Sequence, residues 1–188
     1  MRIVGGRWRG LGLASVGKGD AKAHLRPTSD RVREAIFNLL VNGGYGDPIG
    51  GAVVLDLFAG TGALGLEALS RGAAHTTFVE SGRPAQKLIA ENVAKAKAQA
   101  ETTLVTRDAV KLGVCQGEPA SLVFLDPPYG KALGGAALLS AVKGGWIAPE
   151  ALIVWEENAP QTAPTGFRIL DQRRYGETHV TILEFGES

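Results

Sequence analysis

The sequence predicts an α/β fold in which helices pack on both faces of a mostly parallel sheet. Three observations support this prediction. From residue 52 onward, short apolar runs typical of buried strands alternate with segments of helical periodicity. A glycine-rich loop joins the first of these strands to the helix that follows it. Near the end of the chain, segments 167–171 and 178–185 flank a polar turn, which predicts a closing antiparallel hairpin.

The composition is typical of one soluble domain with a small appendage, since the chain has 188 residues, 45% apolar and 21% charged. No run reaches the roughly 18 apolar residues of a membrane span, and the first residues lack a signal peptide's apolar region. One cysteine, Cys115, cannot form an internal disulfide, and with three histidines it gives too few ligands for an ordinary zinc site. We therefore expect a cytoplasmic monomer without a bound metal.

The net charge of +1 hides an asymmetry along the chain. Residues 1–33 carry a net charge of +6, and the remainder carries −5. A basic segment on a mildly acidic body indicates a localised contact with a polyanion, although a solvated charged tail would have the same composition.

The first 26 residues are predicted to form a basic arm, and residues 27–188 the main domain. Within the arm, segments 2–6 and 11–14 are predicted to pair as a small hairpin. Several glycines and few apolar runs distinguish this region from the rest of the chain.

A helix is predicted over 31–40 because its apolar residues recur at helical spacing, and Ser29 or Asp30 can cap its first turn. Further helices are predicted at 63–70, 84–98 and 132–143. The predicted strands before the closing hairpin are 52–58, 75–80, 102–106, 122–126 and 151–156.

The glycine loop fits the pattern G-x-G-x-x-G at Gly60, Gly62 and Gly65. It has the context that the pattern requires, a strand before it and a helix after it. Glycines at these positions allow a sharp turn and let a ligand lie against the backbone. The pattern alone leaves NAD, FAD and S-adenosylmethionine open as ligands, and also a tight turn that binds none.

Acidic residues follow the first three strands and narrow this choice. Asp56 lies in the first buried strand, where a carboxylate needs a hydrogen-bonding partner, such as the backbone N–H groups of the loop, or a cationic ligand reached through water. A positively charged sulfonium cofactor suits this acid, whereas a pyrophosphate does not. Glu80 is placed to accept hydrogen bonds from both ribose hydroxyls. Asp108 can accept from an adenine amino group, or can simply cap a helix or turn.

The most specific motif is Asp126-Pro127-Pro128-Tyr129, which follows the fourth strand. Two prolines end the strand, remove two N–H donors and stiffen the backbone. The remaining carbonyl and carboxylate acceptors suit a planar amino group, and the tyrosine can stack on the ring that carries it. A proline-rich turn with a core tyrosine is the structural alternative.

Taken together, these motifs resemble the class I S-adenosylmethionine-dependent methyltransferases that act on amino groups. Further segments resemble the RsmD family over about residues 1–185. The segments that carry this resemblance are Arg2 to Gly10, Leu25 to Asn38, Leu55 to Ala68, and Arg174 to Thr178.

The resemblance implies a Rossmann-like seven-stranded sheet and methyl transfer from S-adenosylmethionine to the N2 amino group of one guanine in small-subunit (16S) ribosomal RNA. The base would be flipped into the Asp-Pro-Pro-Tyr pocket. Catalytic roles fall to Asp126, Pro127, Pro128 and Tyr129. Cofactor-binding roles fall to Asp56, Phe58, Ala59, Gly60, Thr61, Gly62, Glu80, Asp108 and Ala109.

An RNA substrate also gives the basic segment a function, because phosphates attract arginine and lysine. The residues predicted to bind RNA are Arg2, Arg7, Trp8, Arg9, Lys18, Lys22, Arg26, Arg31 and Arg33.

Three other functions remain open from the sequence. The first is adenine-N6 methylation of DNA or RNA, which would use the same Asp-Pro-Pro-Tyr motif. The second is a dinucleotide oxidoreductase, against which Asp56 and that motif argue. The third is a non-catalytic ribosome assembly factor on a methyltransferase fold, against which the intact motif set argues.

Overall fold

A computed structural model describes residues 1–16 and 28–186. Seven strands form one sheet in the order β3-β2-β1-β4-β5-β7-β6. Strands β1 to β5 are parallel, and β7 pairs antiparallel with both β5 and β6. The strands are β1 (Val53–Leu57), β2 (His75–Val79), β3 (Thr102–Val105), β4 (Ala120–Leu125), β5 (Ile147–Glu157), β6 (Phe167–Tyr175) and β7 (Thr178–Phe185). The predicted α/β class and closing hairpin are confirmed.

Within the described residues, four α-helices accompany the sheet: α1 (Asp30–Asn42), α2 (Ala63–Ser70), α3 (Arg83–Ala96) and α4 (Leu133–Lys143). Ser29 caps α1 as predicted, because its hydroxyl accepts from the Val32 N–H at 3.2 Å. None of the helices in the described part of the chain is long and apolar enough to cross a membrane.

The order of the strands determines where a ligand can bind. The chain moves outward from β1 through β2 to β3, then returns across the sheet to place β4 on the other side of β1. This reversal opens a crevice beyond the carboxyl ends of β1 and β4, which is where open α/β sheets bind their ligands. The acids at the carboxyl ends of β1, β2 and β4 therefore converge on one edge.

Two apolar cores cover the two faces of the sheet. Phe37, Phe78 and Phe124 belong to one core, which is shared by α1, α2 and α3. Val123 and Leu138 belong to the other, beneath α4. These cores bury both faces of the central parallel strands, as the continuous apolar runs predict.

The N-terminal arm differs from its prediction. A single antiparallel bridge, between Arg2 and Gly12, replaces the two expected strands, and a 3₁₀ turn spans Gly6–Trp8. The arm nevertheless folds back on itself, because Ile3 and Leu11 are joined by a backbone hydrogen bond of 2.9 Å. Its ends pack into the first core through Ile3 and Leu13. The predicted boundary at residue 26 lies outside the described residues.

The arm is fastened to the body by one buried acid on α2. Glu67 is fully buried and accepts from the N–H groups of Val4 and Gly5 at 2.9 and 2.8 Å. The same carboxylate pairs with Arg71 at 2.9 Å and with Arg33 at 3.3 Å. Glu67 thus satisfies two backbone donors of the arm while two guanidinium groups balance its charge, as a buried carboxylate requires.

Candidate functional site

The crevice at the carboxyl edge of the sheet is a cavity of about 520 Å³. Its walls are formed by the ends of β1, β2 and β4, by the loops after these strands, and by Thr28 just before α1. Among the described residues, the charged groups that line it are four acids and one lysine, and this excess of acids favours a cationic ligand. The lining residues are Thr28, Asp56, Phe58, Ala59, Gly60, Thr61, Ala63, Leu64, Glu80, Ser81, Asp108, Asp126, Pro127, Pro128, Tyr129, Lys131 and Leu133.

The glycine loop forms the floor of the cavity. Gly60 and Gly62 have φ angles of +59° and +78°, which glycine adopts without strain. Phe58 also has a positive φ, +57°, a costly conformation for an aromatic residue. A Cβ on Gly65 would lie 2.5 Å from the Phe78 ring, so this third glycine lets α2 pack closely against β2.

Asp56 ties the buried strand β1 to the start of α2. Its side chain is 1% exposed and accepts from the Gly65 N–H at 3.0 Å. This is the backbone partner that the sequence predicts for it. Burial, together with the nearby Glu80 carboxylate, raises the pKa of Asp56 to about 8 despite the opposing effect of the Gly65 hydrogen bond. A cation in the cavity would stabilise the ionised form.

Glu80 follows β2 and is held by two backbone donors. Its two carboxylate oxygens accept from the N–H groups of Gly60 and Gly82, each at 2.8 Å. Each oxygen keeps a further lone pair, so the carboxylate can still accept from a ligand diol. The structure thus places Glu80 across the glycine loop, at the cavity wall where the sequence predicts a ribose-binding acid.

Asp108 combines the two alternatives that the sequence left open. It caps the 3₁₀ turn Ala109–Lys111 by accepting from the Val110 N–H at 3.0 Å, and it also lines the cavity. Ala109 and Gly62, also predicted to bind the cofactor, do not line the cavity: Ala109 is buried, and Gly62 is the N-cap of α2.

Asp126 begins the Asp-Pro-Pro-Tyr motif at the end of β4. The backbone continues the β1–β4 pairing for one residue, since the Asp126 N–H donates to the Leu57 carbonyl at 3.5 Å. Pro127 is buried and Pro128 is exposed, and all four residues of the motif line the cavity. The motif is therefore brought together with Asp56 and Glu80 in one cavity.

Two side chains that the sequence reasoning missed hold this motif. Parallel pairing of Leu125 with Trp155 places Glu156 beside Asp126, and Glu156 is buried. The Thr28 hydroxyl lies between them, 2.7 Å from Glu156 Oε2 and 3.3 Å from Asp126 Oδ2. The Tyr129 hydroxyl makes a longer contact of 3.4 Å with Glu156 Oε1.

A signal for Glu156 was present in the sequence: like Asp56, it is an acid at the end of an apolar strand. Thr28 offered no such signal, because threonine is common before helices for reasons of capping alone.

The acids around Asp126 raise the energy of its ionisation. Burial, followed by the charges of Glu156, Asp56 and Glu157, raises the pKa of Asp126 well above its ordinary value, while the Thr28 hydrogen bond opposes the shift. A ligand that offers hydrogen-bond donors or positive charge here would favour the ionised carboxylate.

The basic residues of the arm and of α1 differ in their accessibility. Arg2, Arg9 and Arg31 are exposed. Arg7 is exposed too, but it pairs with Glu101 and lies over the half-buried Trp8 ring at 4.2 Å. Lys18, Lys22 and Arg26 lie outside the described residues.

Arg33 was predicted to bind RNA, but it lies inside the protein. Its side chain is fully buried and pairs with Glu67 and Asp30, at 3.3 and 2.7 Å. A buried guanidinium cannot reach an RNA phosphate, so Arg33 is a structural residue that supports the arm. In the described residues, no group of three or more His, Cys, Asp or Glu side chains is arranged to hold a metal ion.

Comparison with known proteins gives consistent matches along nearly the whole chain. A family model described as "Conserved hypothetical protein 95" matches residues 1–184. A protein of Escherichia coli K12 named "Ribosomal RNA small subunit methyltransferase D" is 38% identical over 180 residues, covering 94% of this chain and 86% of the relative. A protein of the same name from Haemophilus influenzae is 34% identical, covering 94% and 89%.

A solved structure from Escherichia coli, provisionally named a methyltransferase, superimposes with a TM-score of 0.82 at 36% identity. The match covers 100% of this chain and 99% of that one. The predicted seven-stranded methyltransferase sheet is thereby confirmed.

Proposed function

The chain belongs to the RsmD family, and on that premise we propose that it transfers a methyl group from S-adenosylmethionine to the N2 amino group of a guanine in small-subunit ribosomal RNA. The observation that carries the proposal is one cavity that joins an anionic cofactor site to the acceptor-rich end of β4. The names of the two relatives supply the class of substrate.

The residues of the cavity fit S-adenosylmethionine. Glu80 has lone pairs available for the ribose hydroxyls, and Asp108 lies on the same wall to accept from the adenine amino group. Asp56, once ionised, supplies negative charge for a cofactor that carries a sulfonium and an ammonium group. Its bound sulfonium would supply an activated methyl group whose C–S bond breaks as the new N–C bond forms.

Asp126 and the rigid prolines orient the acceptor amino group. An ionised Asp126 would accept a hydrogen bond from one amino proton, and the backbone carbonyl of Pro127 would accept a hydrogen bond from the other. These hydrogen bonds strengthen as the nitrogen becomes pyramidal and positively charged, so they stabilise the transition state more than the ground state. The proton released after transfer passes to Asp126. Alignment of the two reactants makes the largest contribution to lowering the activation barrier, roughly 7–11 kcal/mol.

Guanine fits this acceptor-rich wall better than adenine does. Guanine presents two adjacent donors, its N1–H and its amino group, whereas adenine presents an amino group beside an unprotonated N1. Asp126 and Thr28 both line the cavity, and so does Tyr129, on whose ring a flipped base would stack. Adenine methylation is therefore the less favoured alternative.

The exposed arginines of the arm and of α1 would bind RNA phosphates. Met1 Sδ contacts the Thr61 hydroxyl at 3.6 Å, so the arm lies next to the glycine loop and close to the cavity. Arg2, whose N–H donates to Asp30, and Arg31 are thus on the side from which RNA would approach, whereas Arg9 follows Trp8, whose N–H donates to Ser70 at the far end of α2. A small ribosomal subunit or its precursor, met in the cytoplasm, is the substrate that this arrangement would serve.

The test uses S-adenosylmethionine labelled in its methyl group and small ribosomal subunits from cells that lack this protein. The proposal expects label in N2-methylguanine after digestion of the RNA. Label in N6-methyladenine would overturn the guanine assignment and retain methyl transfer. Absence of label, with cofactor binding measured on the same sample, would favour an assembly function, and absence of cofactor binding would overturn the proposal as a whole.

A further inference from the structure

The geometry points to Thr28 as a specificity-determining residue, which reads the guanine N1–H through a hydroxyl oxygen that Glu156 holds in the acceptor orientation. This inference rests on the proposed function. It concerns a residue outside both the glycine loop and the Asp-Pro-Pro-Tyr motif.

The Thr28 hydroxyl has one proton and two carboxylate oxygens nearby. Its oxygen is 2.7 Å from Glu156 Oε2 and 3.3 Å from Asp126 Oδ2. Hydroxyl hydrogen bonds fall between about 2.5 and 3.0 Å, and those to carboxylates are the shortest. The proton therefore points to Glu156, and the Thr28 oxygen turns its lone pairs elsewhere.

The lone pairs of the Thr28 oxygen are available to a ligand in the cavity. Thr28 lines the cavity beside Asp126, whereas Glu156 is not among the cavity-lining residues and is 4% exposed. Glu156 therefore acts through Thr28 and not by touching the base. The cavity wall presents two neighbouring acceptors, a threonine oxygen and a carboxylate oxygen, 3.3 Å apart.

The two acceptors, on Thr28 and Asp126, match the donors of guanine. In guanine, N1 and the amino nitrogen are attached to the same carbon, so they present two parallel donors to two neighbouring acceptors. When the amino proton on the N1 side is directed at Asp126, N1–H is directed at Thr28. A base with an unprotonated N1 would instead bring a lone pair against the lone pair of Thr28, which costs the desolvation of both groups.

The same pairing has a consequence for Asp126. Burial and the neighbouring acids raise the pKa of Asp126 in the ligand-free cavity. The donors of guanine oppose this shift and favour the ionised carboxylate that methyl transfer requires. Recognition of the correct base is thereby coupled to activation of the catalytic group.

The experiment compares two RNA substrates that differ only at the target base, guanine in one and 2-aminopurine in the other. Both carry the amino group at C2, but 2-aminopurine has no proton on N1. The measured quantity is the ratio of kcat/KM for the two substrates, so that general effects on folding or on RNA affinity cancel.

Thr28→Val keeps the shape of the side chain and removes the acceptor. It is expected to lower kcat/KM on guanine on the order of 10- to 100-fold, because N1–H is left unpaired, and to change the 2-aminopurine rate by less than about 3-fold. Thr28→Ser is the matched control and should retain the wild-type ratio. Binding of S-adenosylmethionine, by calorimetry, should be unchanged in both.

Glu156→Gln tests the orientation of the hydroxyl. The amide that this substitution introduces can donate to the Thr28 oxygen and turn the hydroxyl proton toward the cavity, so the ratio should fall because 2-aminopurine gains a donor opposite its N1. An equal loss on both substrates in Thr28→Val would overturn the inference and leave the proposed function standing. Failure of the unaltered protein to methylate the guanine substrate would overturn both.

Discussion

The two walls of the cavity hold their acids in different ways. On the wall formed by β1 and β2, the carboxylates of Asp56 and Glu80 accept from backbone N–H groups at most 20 residues away. On the wall formed by β4, Asp126 meets the Thr28 hydroxyl across 98 residues of chain, and that hydroxyl meets Glu156 across 128. The first wall is built by local backbone, and the second by side chains from distant elements.

This difference separates two tasks. Backbone donors are present whatever the neighbouring side chains are, so they suit a ligand that is the same in every reaction, such as a common cofactor. Side-chain donors and acceptors change with a single substitution, so they suit the selection of one acceptor base. Substitutions on the two walls should therefore affect different measured quantities.

The largest effect is expected from Asp126→Ala, on the side-chain wall. Loss of the acceptor for the amino group should lower turnover on the order of 10³-fold, because this hydrogen bond is strongest in the transition state. Cofactor affinity, measured by calorimetry, should change little. Turnover near that of the unaltered protein would contradict the catalytic assignment.

Asp56→Asn on the backbone wall should change stability and its dependence on pH. A carboxyl whose pKa is raised from 3.8 to about 8 binds its proton more tightly in the folded state than in the unfolded chain. The free energy of unfolding therefore falls as the pH rises through this interval. The asparagine keeps an oxygen for the Gly65 N–H but cannot ionise.

Denaturant unfolding at about pH 5 and about pH 8.5 measures this effect. The unaltered protein should lose a few kcal/mol more than the variant between the two conditions. Equal losses in both proteins would show that Asp56 does not titrate in this range.

Glu80→Ala should weaken cofactor binding on the order of 10- to 100-fold, because two backbone N–H groups and the ligand diol lose their acceptor. The ratio of guanine to 2-aminopurine rates should stay unchanged, since Thr28 and Asp126 are untouched. Glu91→Ala on α3, where the acid pairs with the exposed Lys95, is the matched control. A change in the base ratio would show that the two walls are not independent.

The smallest effects are expected outside both walls, at the exposed arginines. Arg2→Ala, Arg9→Ala and Arg31→Ala should each weaken RNA binding a few-fold and reduce the slope of log affinity against log salt by up to about one. Lys143→Ala at the far end of α4 serves as the control. An unchanged slope in the triple variant would remove the arm and α1 from the RNA interface.

The wall formed by β1 and β2 could be predicted from the sequence because its hydrogen bonds join residues that are close together in the chain. The strand–glycine–helix order predicted helix 63–70, which is observed as Ala63–Ser70, and predicted a backbone partner for Asp56. Local patterns contain the information for local hydrogen bonds. The partner of Thr28 depends instead on the alignment of β4 with β5, which no local pattern specifies.

Arg33 shows a different cause of error. It was grouped with the exposed basic residues by charge, although its spacing to Ile36, Phe37 and Leu40 puts it on the buried face of α1. Periodicity thus indicated burial, and Glu67, an acid in the apolar helix α2, was the partner that made burial tolerable. Position on a helix face outweighed residue type.

At Phe58, the residue that would be best for stability differs from the residue that would be best for ligand binding. Its backbone has a positive φ, +57°, which costs an ordinary side chain of order 1–3 kcal/mol, yet its ring forms part of the cavity wall. Glycine would relieve the backbone and open the wall, so the most stable sequence and the best binding sequence differ here. Directed selection for thermostability alone should drift toward glycine at residue 58, and selection for methyl transfer should restore the ring.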